Sequence, residues 1–341
     1  MKTRTFAAFV APSLAMMLLF IALPLVSVLL QSTENTRRIF KEELVERCTP
    51  GFPAPTCEKE RRQMPVMDAS GNPVTERVFV GLENFRTLLK TEQIAGMIAE
   101  GRSLWQAISA VDFYRALAFT LIFTFITLPL VIGVGLAIAI ALNATVQAIR
   151  GPIIFISLLP FIITPVIGAL SIRWLFTGDG LMTAALRHLV GQDVSPLSNS
   201  WSIALLMMLY RVWHVAPFAF VIFYAGLQTL DNDTVDASVV DGASRFERLR
   251  YVVLPHLAPL ILFVALIHLM DAYRMFDEVV GFASQAYVIS LQWLTFELLM
   301  PDNTGNRAIG RASASAVLTM IGIVILLVPL IRRTWRDQKG R

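Results

Sequence analysis

The sequence predicts an all-α integral membrane protein of six transmembrane helices, with a long extramembrane loop after the first helix. Of the 341 residues, 55% are hydrophobic and only 16% are charged, against ~45–50% and ~25% in soluble domains. Mean hydropathy is +0.63. The apolar residues gather into continuous runs of about the ~20 residues that cross a bilayer. In hydrocarbon such a run has no water to bond and must close its backbone hydrogen bonds within a helix.

Taken in order, the spans are Phe6–Leu30, Arg115–Leu142, Pro152–Phe176, Ser202–Gln228, Leu257–Phe276 and Ser313–Ile331. The first follows a short basic end, Lys2 and Arg4. Its length, and the lack of an Ala-x-Ala site in "VSVLLQS", favour a retained span over a cleaved signal peptide. The chain therefore divides into 1–30, the N-terminus and first helix; 31–114, a loop; 115–331, a five-helix core with a polar elbow at 233–256; and 332–341, a basic tail.

Basic residues flanking short loops set the orientation. Lys2 and Arg4 precede the first span, and the tail "RRTWRDQKGR" carries five basic residues. An even number of spans puts both ends on one side, so both termini are expected in the cytoplasm. Arg150, Arg245, Arg248 and Arg250 then lie inside as well. The loops Gln31–Tyr114, Thr177–Trp201 and Asp277–Ala312 lie outside. The net charge of +4 follows from this flanking pattern, and no arginine-rich tract interleaved with aromatics points to nucleic acid.

The first outside loop is rich in charge, Pro and Gly from Gln31 to Arg77, then helical in pattern from Leu82 to Leu104. It holds both cysteines, Cys48 and Cys57, within "CTPGFPAPTC". An even count, close spacing and a turn-rich interval favour a disulfide in an oxidising compartment; two free thiols are the alternative. No metal site is expected beside them.

Several chemistries have no sequence support. There is no GxxxxGK[ST], HExxH or GxSxG. The four histidines, His188, His214, His256 and His268, are scattered without ligand spacing. No catalytic residues, metal or cofactor are assigned to this chain, and any energy for transport comes from a partner or a gradient.

The elbow, "VDASVVDGASRFERLRYVVLPHLAP" from Val235 to Pro259, is too short and too charged to cross. Asp233 is expected to cap a helix over Thr234–Val240, and Asp241-Gly242 to end it, since Gly accepts a left-handed backbone. Ser244 and Glu247 form a capping box for a second helix, with Phe246, Leu249 and Val253 on one face. Pro255 and Pro259 mark the passage into the next span. An interfacial loop that snorkels arginines toward lipid is the plainer reading. The interspersed Asp236, Asp241 and Glu247 disfavour anionic lipid, and the strong start and stop signals suit a rigid knob.

This stretch resembles the "EAA" cytoplasmic loop of ABC-importer permeases: EAA, three residues, Gly, nine residues, Ile-x-Leu-Pro. In that register the chain reads Asp236-Ala237-Ser238, Gly242, Val252 and Leu254-Pro255, with Asp241-Gly242-Ala243 matching the usual DGA. Ile149–Phe176 resembles the third span of maltose-type sugar permeases, Trp213–Asp231 the run into their EAA loop, and "FDEV" at Phe276–Val279 the FD after their fifth core span. The resemblance covers Tyr114 to Ile331 and the first span, leaving Gln31–Arg77 unmatched. It implies a type I importer permease subunit for a sugar or sugar derivative. Its implied partners are a second permease, a cytoplasmic ATPase dimer that holds ATP and Mg, and a periplasmic solute-binding protein. The elbow would dock on the ATPase, with Asp236, Gly242 and Ala243 at the turn and Phe246 and Leu249 as anchors.

Charged groups within a span usually face a bundle interior or a water-filled cavity. Arg211 and His214 lie in the fourth span, with Trp213 beside them. Asp271 and Arg274 lie at i, i+3 in the fifth. From Leu257 to Asp271 the helix rises only ~21 Å, less than the ~30 Å core, so Asp271 is expected to be buried. The pair either lines the pathway or ties helices together; Trp213 and Tyr224 are further pathway candidates. An intramembrane Arg also admits an anionic solute, so a polyol, glycerol phosphodiester or sugar acid stays open. So does a gradient-driven secondary transporter, which predicts internal repeats that are not evident here. A membrane-embedded enzyme lacks a catalytic set.

Overall fold

A computed structural model describes residues 3–49, 56–68, 74–178, 180–190, 195–302 and 305–339. The chain separates into two compact units. One comprises Met1–Gln93 with Thr295–Leu318, the other Ile94–Leu294 with Thr319–Arg341.

In the first unit the opening span is α1 (Thr3–Met17), a π turn over Leu18–Ala22, and α2 (Leu23–Ser32). The loop that follows carries strands that its charge-, Pro- and Gly-rich composition does not predict. Strands β1 (Glu34–Arg38), β2 (Phe40–Thr49), β3 (Thr56–Pro65) and β4 (Thr75–Phe79) form two nested antiparallel pairs, β1 with β4 and β2 with β3. The inner register sets Cys48 opposite Cys57; the side chains of both lie outside the described set. The expected helical stretch is present as α3 (Glu83–Leu89) and α4 (Thr91–Ala99), parted by Lys90 in the left-handed region at φ 46°. Asn84 ties this unit together. Its Nδ2 donates to the carbonyls of Ser32 (3.0 Å) and Glu34 (2.9 Å), joining α3 to the end of α2 and to β1.

The second unit begins with α5 (Leu104–Ser109), opened by a Ser103–Gln106 capping box, and α6 (Asp112–Asn143). It continues with α7 (Gln147–Ile162), α8 (Pro165–Leu175), α9 (Leu181–Val190) and α10 (Ser200–Leu227). Next come α11 (Asn232–Val240), α12 (Arg245–Arg248), a π turn over Leu249–Val253, α13 (Leu254–Tyr273) and α14 (Asp277–Gly281). The last helices are α15 (Leu291–Leu299) and α16 (Ile309–Lys339), which run across the unit boundaries.

Helix α10 is the most enclosed of the long helices, with 61% of its apolar window buried against 28% for α6 and for α13. The reason is close approach. Gly135 on α6 leaves its backbone against Ala219 and Phe220 of α10, where an added Cβ would fall 2.6 Å from the Ala219 methyl. Small residues let two backbones meet in a membrane. Around this crossing Val131, Ala139, Phe220, Phe223, Leu257 and Val264 form one apolar cluster.

Among the described residues, five helices are long and apolar enough to span a membrane, six if the bent pair α7–α8 counts as one. That pair corrects the expectation of a single helix over Pro152–Phe176: its halves meet at 92°. The cause is local. Pro165 pushes the residue before it out of the α region, and Ile163 and Thr164 are extended, with ψ 135° and 130°.

The elbow is also corrected in two details. The cap of α11 is Asp231 rather than Asp233: the Asp231 carboxylate accepts from the Asp233 N–H at 3.1 Å. Nor does Pro255 separate the elbow from the span, because Arg245–Tyr273 is one continuous helix. A proline inside a helix clashes with the carbonyl four residues earlier. The wider π turn directly upstream accommodates it. The first span uses the same device, a π turn followed by Leu23-Pro24.

Candidate functional site

Two clusters of functional candidates take shape, both in the second unit. The first is the elbow. Helix α11 ends in paired bonds that wrap its last turn: Gly242 N–H donates to Val239 O at 3.0 Å, and Ala243 N–H to Ser238 O at 3.0 Å. This is the Schellman pattern, which needs a left-handed residue, and Gly242 supplies it at φ 81°. The chain then restarts at once. Ser244 Oγ accepts from the Glu247 N–H, and the Glu247 carboxylate accepts from the Ser244 N–H at 2.7 Å. The Ser244 hydroxyl and backbone together hold the Glu247 carboxyl below its usual range. Asp236, Ala237, Asp241 and Phe246 are exposed, and Ser238, Ala243 and Leu249 are half-buried. Phe246 is 69% exposed and Val240 87%, so the knob presents apolar side chains on a stiff backbone.

The root of the knob is braced. His256 Nε2 lies 3.1 Å from both Gly226 O and Thr229 Oγ1, fastening the start of α13 to the end of α10. Gln228 Nε2 donates to Asn143 Oδ1 at 3.0 Å, fastening that end of α10 to α6. Leu254 and Pro255, the close of the EAA-like register, open α13 between these braces.

The second cluster lies around Arg211. Its guanidinium is buried and forked between two carboxylates: Nη1 donates to Glu278 Oε1 at 2.6 Å, and Nη2 to Asp271 Oδ2. These partners flank the break between α13 and α14, so Arg211 pins both helices to α10. The environments differ. Glu278 is enclosed, whereas the Asp271 side chain is 59% exposed, contrary to the expected burial. Arg274 is exposed and makes no ion pair with Asp271, so the expected i, i+3 pair is replaced by Arg211–Asp271. Glu278 was missed by the sequence reading.

On either side of Arg211 along α10, two side chains support the bend of the third span. Tyr210 Oη donates to Pro165 O at 2.7 Å, and His214 Nε2 to Ile163 O at 3.0 Å. The Ile163 carbonyl, freed at the end of α7, thus finds a partner, as buried backbone groups must. His214 is buried beside the cluster. Trp213 is 46% exposed and points away from it on the helix. Tyr224 is half-buried against Phe220, with ring centroids 6.1 Å apart, well along α10 from Arg211.

With this geometry in hand, comparison with known proteins is direct. The family model described as "binding-protein-dependent transport system inner membrane component" matches residues 93–338. The chain belongs to that family. It is a multi-pass subunit of a transport system of the inner membrane. Among similar proteins, the trehalose/maltose transport system permease protein MalF of Thermococcus litoralis is 26% identical over 264 residues, 76% of this chain and 86% of that protein. The sn-glycerol-3-phosphate transport system permease protein UgpA of Yersinia pestis is 28% identical over 272 residues, 76% of this chain and 82% of that protein. A chain from a crystal structure of a bacterial alginate ABC transporter, in complex with alginate pentasaccharide-bound periplasmic protein, aligns with TM-score 0.69 and 16% identity. That alignment covers 98% of this chain and 95% of the other; at this identity it carries the fold.

Proposed function

We propose that this family member is a permease subunit of an ATP-driven, binding-protein-dependent importer for a sugar or sugar derivative. It forms half of the translocation pathway beside a second permease, a different chain. A periplasmic binding protein delivers the solute, and a cytoplasmic ATPase dimer, which holds ATP and Mg, drives the cycle. Both termini are cytoplasmic. The observation that carries the reading is the elbow: a helix closed at Gly242, restarted at Ser244 and continuous with a membrane span. A lipid-snorkelling loop has no use for such rigidity, whereas transmission of ATPase closure requires it.

In this reading Asp236, Ala237, Ser238, Asp241, Gly242, Ala243, Phe246, Leu249, Leu254 and Pro255 form the coupling element. Asp271 and Arg274 line the pathway. The support for the second assignment is their exposure on a membrane helix, since an ionic side chain avoids lipid and turns toward water or a partner. The trehalose/maltose relative supports the sugar, and the sn-glycerol-3-phosphate relative supports the alternative of a polyol, glycerol phosphodiester or sugar acid.

The test is co-purification of the tagged chain from its native membrane in mild detergent, beside Gly242→Asp. A Cβ at Gly242 meets no atom within 4 Å, so the change acts on the turn and its outer surface and leaves the core alone. An ATPase that accompanies the wild type and is lost from the variant is the expected result. An ATPase absent from both, with the chain still folded, removes the importer reading.

A further inference from the structure

The Arg211 cluster carries more negative than positive charge. Arg211 and Arg274 are opposed by Asp271, Asp277 and Glu278, all between the last turn of α13 and the first turn of α14 apart from Arg211 itself. The arginine is not available to a solute: both terminal nitrogens are engaged by carboxylates. Glu278 Oε2 and Arg211 Nε are buried with no hydrogen-bond partner. An apolar pair would fill that space at lower cost, so the arrangement is poorly explained by stability alone. What reaches the surface is the Asp271 carboxylate, on the same exposed face of α13 as Phe263, Ile267 and Met270.

The geometry points to Glu278 as a specificity-determining residue: by occupying Arg211 it leaves the pathway wall at Asp271 net negative, so that this wall accepts hydroxyl donors of an uncharged sugar and rejects anionic solutes such as phosphate esters. This rests on the proposed reading that the Asp271 face lines the pathway. Carboxylates accept hydrogen bonds from hydroxyls and repel anions, whereas a guanidinium does the reverse; with Arg211 occupied, the exposed Arg274 is outnumbered by Asp271 and Asp277. Glu278 acts through Arg211 and touches no solute.

The wall's charge is measurable without knowing the solute. Met270→Cys is introduced with Cys48→Ser and Cys57→Ser, and the full chain is labelled in native membranes. The probes are a trimethylammonium-ethyl and a sulfonatoethyl methanethiosulfonate, each rate normalised to free cysteine. One unit charge ~8 Å from the thiol changes each rate by about threefold or more. The expected wild-type result is faster labelling by the cation. Adding Glu278→Gln lowers the cation-to-anion ratio by about ninefold or more, and Arg211→Gln with Glu278→Gln, which removes one charge of each sign, returns it to the wild-type value. Asp271→Asn, at an exposed position, lowers the ratio in the same direction and guards against misfolding of the buried variant. A labelled thiol with no cation preference, or a ratio indifferent to Glu278→Gln and Asp271→Asn, overturns the proposal and leaves the pathway reading standing. A thiol that neither reagent reaches overturns the pathway reading, and the proposal with it.

Discussion

Arg211 is a cation that its fold encloses almost completely, and its two partners set the cost of disturbing it. Removing one member of a buried ion pair typically costs about 3–5 kcal/mol, because the other charge stays buried and unpaired. Arg211→Met should therefore lower the melting temperature of the detergent-extracted chain sharply, and Arg211→Met with Glu278→Gln should recover most of the loss. An unchanged melting temperature in the single variant would show that the fork does not hold α10 to α13 and α14. Arg211 and Asp271 are legible in the sequence, because a charge inside an apolar run asks for an explanation. Glu278 is not. It lies past the end of the fifth span, in a segment read as outside loop, 67 positions from Arg211, and no local pattern links residues so far apart. Asp271 is exposed where burial is expected, since helical rise gives depth and says nothing about which side a neighbour covers.

Among the elements, the elbow was the most legible. Asp-Gly and Ser-x-x-Glu are short-range signals whose hydrogen bonds close within six residues, so tertiary context has little room to override them. Ser244→Ala removes one side of the capping box and should cost about 1 kcal/mol locally. Faster amide hydrogen exchange over residues 243–249, with the rest of the chain unchanged, is the check. The hairpin was illegible for the opposite reason. "FKEELVERCT" and "TCEKERRQMP" have no alternating apolar face. Their logic appears only across the ladder, where the register sets Glu43 opposite Arg62, Glu46 opposite Lys59 and Arg47 opposite Glu58, and opposite charges in cross-strand pairs favour one register. The same ladder sets Cys48 opposite Cys57, adding to the spacing argument for a bridge. Alkylation of the denatured chain should modify neither cysteine before reduction and both after it. The bend of the third span was legible in principle, since Thr164-Pro165 is a breaker, but hydropathy averages over a window and ignores it.

For the whole molecule, hydropathy located the long apolar helices because the bilayer fixes their length independently of sequence, although the fifth begins at Arg245 rather than Leu257 and the third is bent. Their orientation is a separate inference, drawn from basic flanks. An alkaline phosphatase fused after Arg341 should be inactive, and one inserted within residues 69–73 active, because that enzyme matures only outside the cytoplasm; the reverse pattern would invert the topology. Loss of uptake on deleting Ile39–Arg77 would in turn tie the hairpin to delivery by the binding protein, whereas full uptake would detach it.

The continuity of α12, its π turn and α13 has a mechanical meaning. From Arg245 to Asp271 is a rod of about 39 Å at 1.5 Å per residue. A tilt of about 5° about its cytoplasmic end carries Asp271 sideways by about 3 Å, roughly the length of one hydrogen bond. The knob and the carboxylate are thus two ends of one lever, and the fork at Arg211 is the latch that such a swing would open.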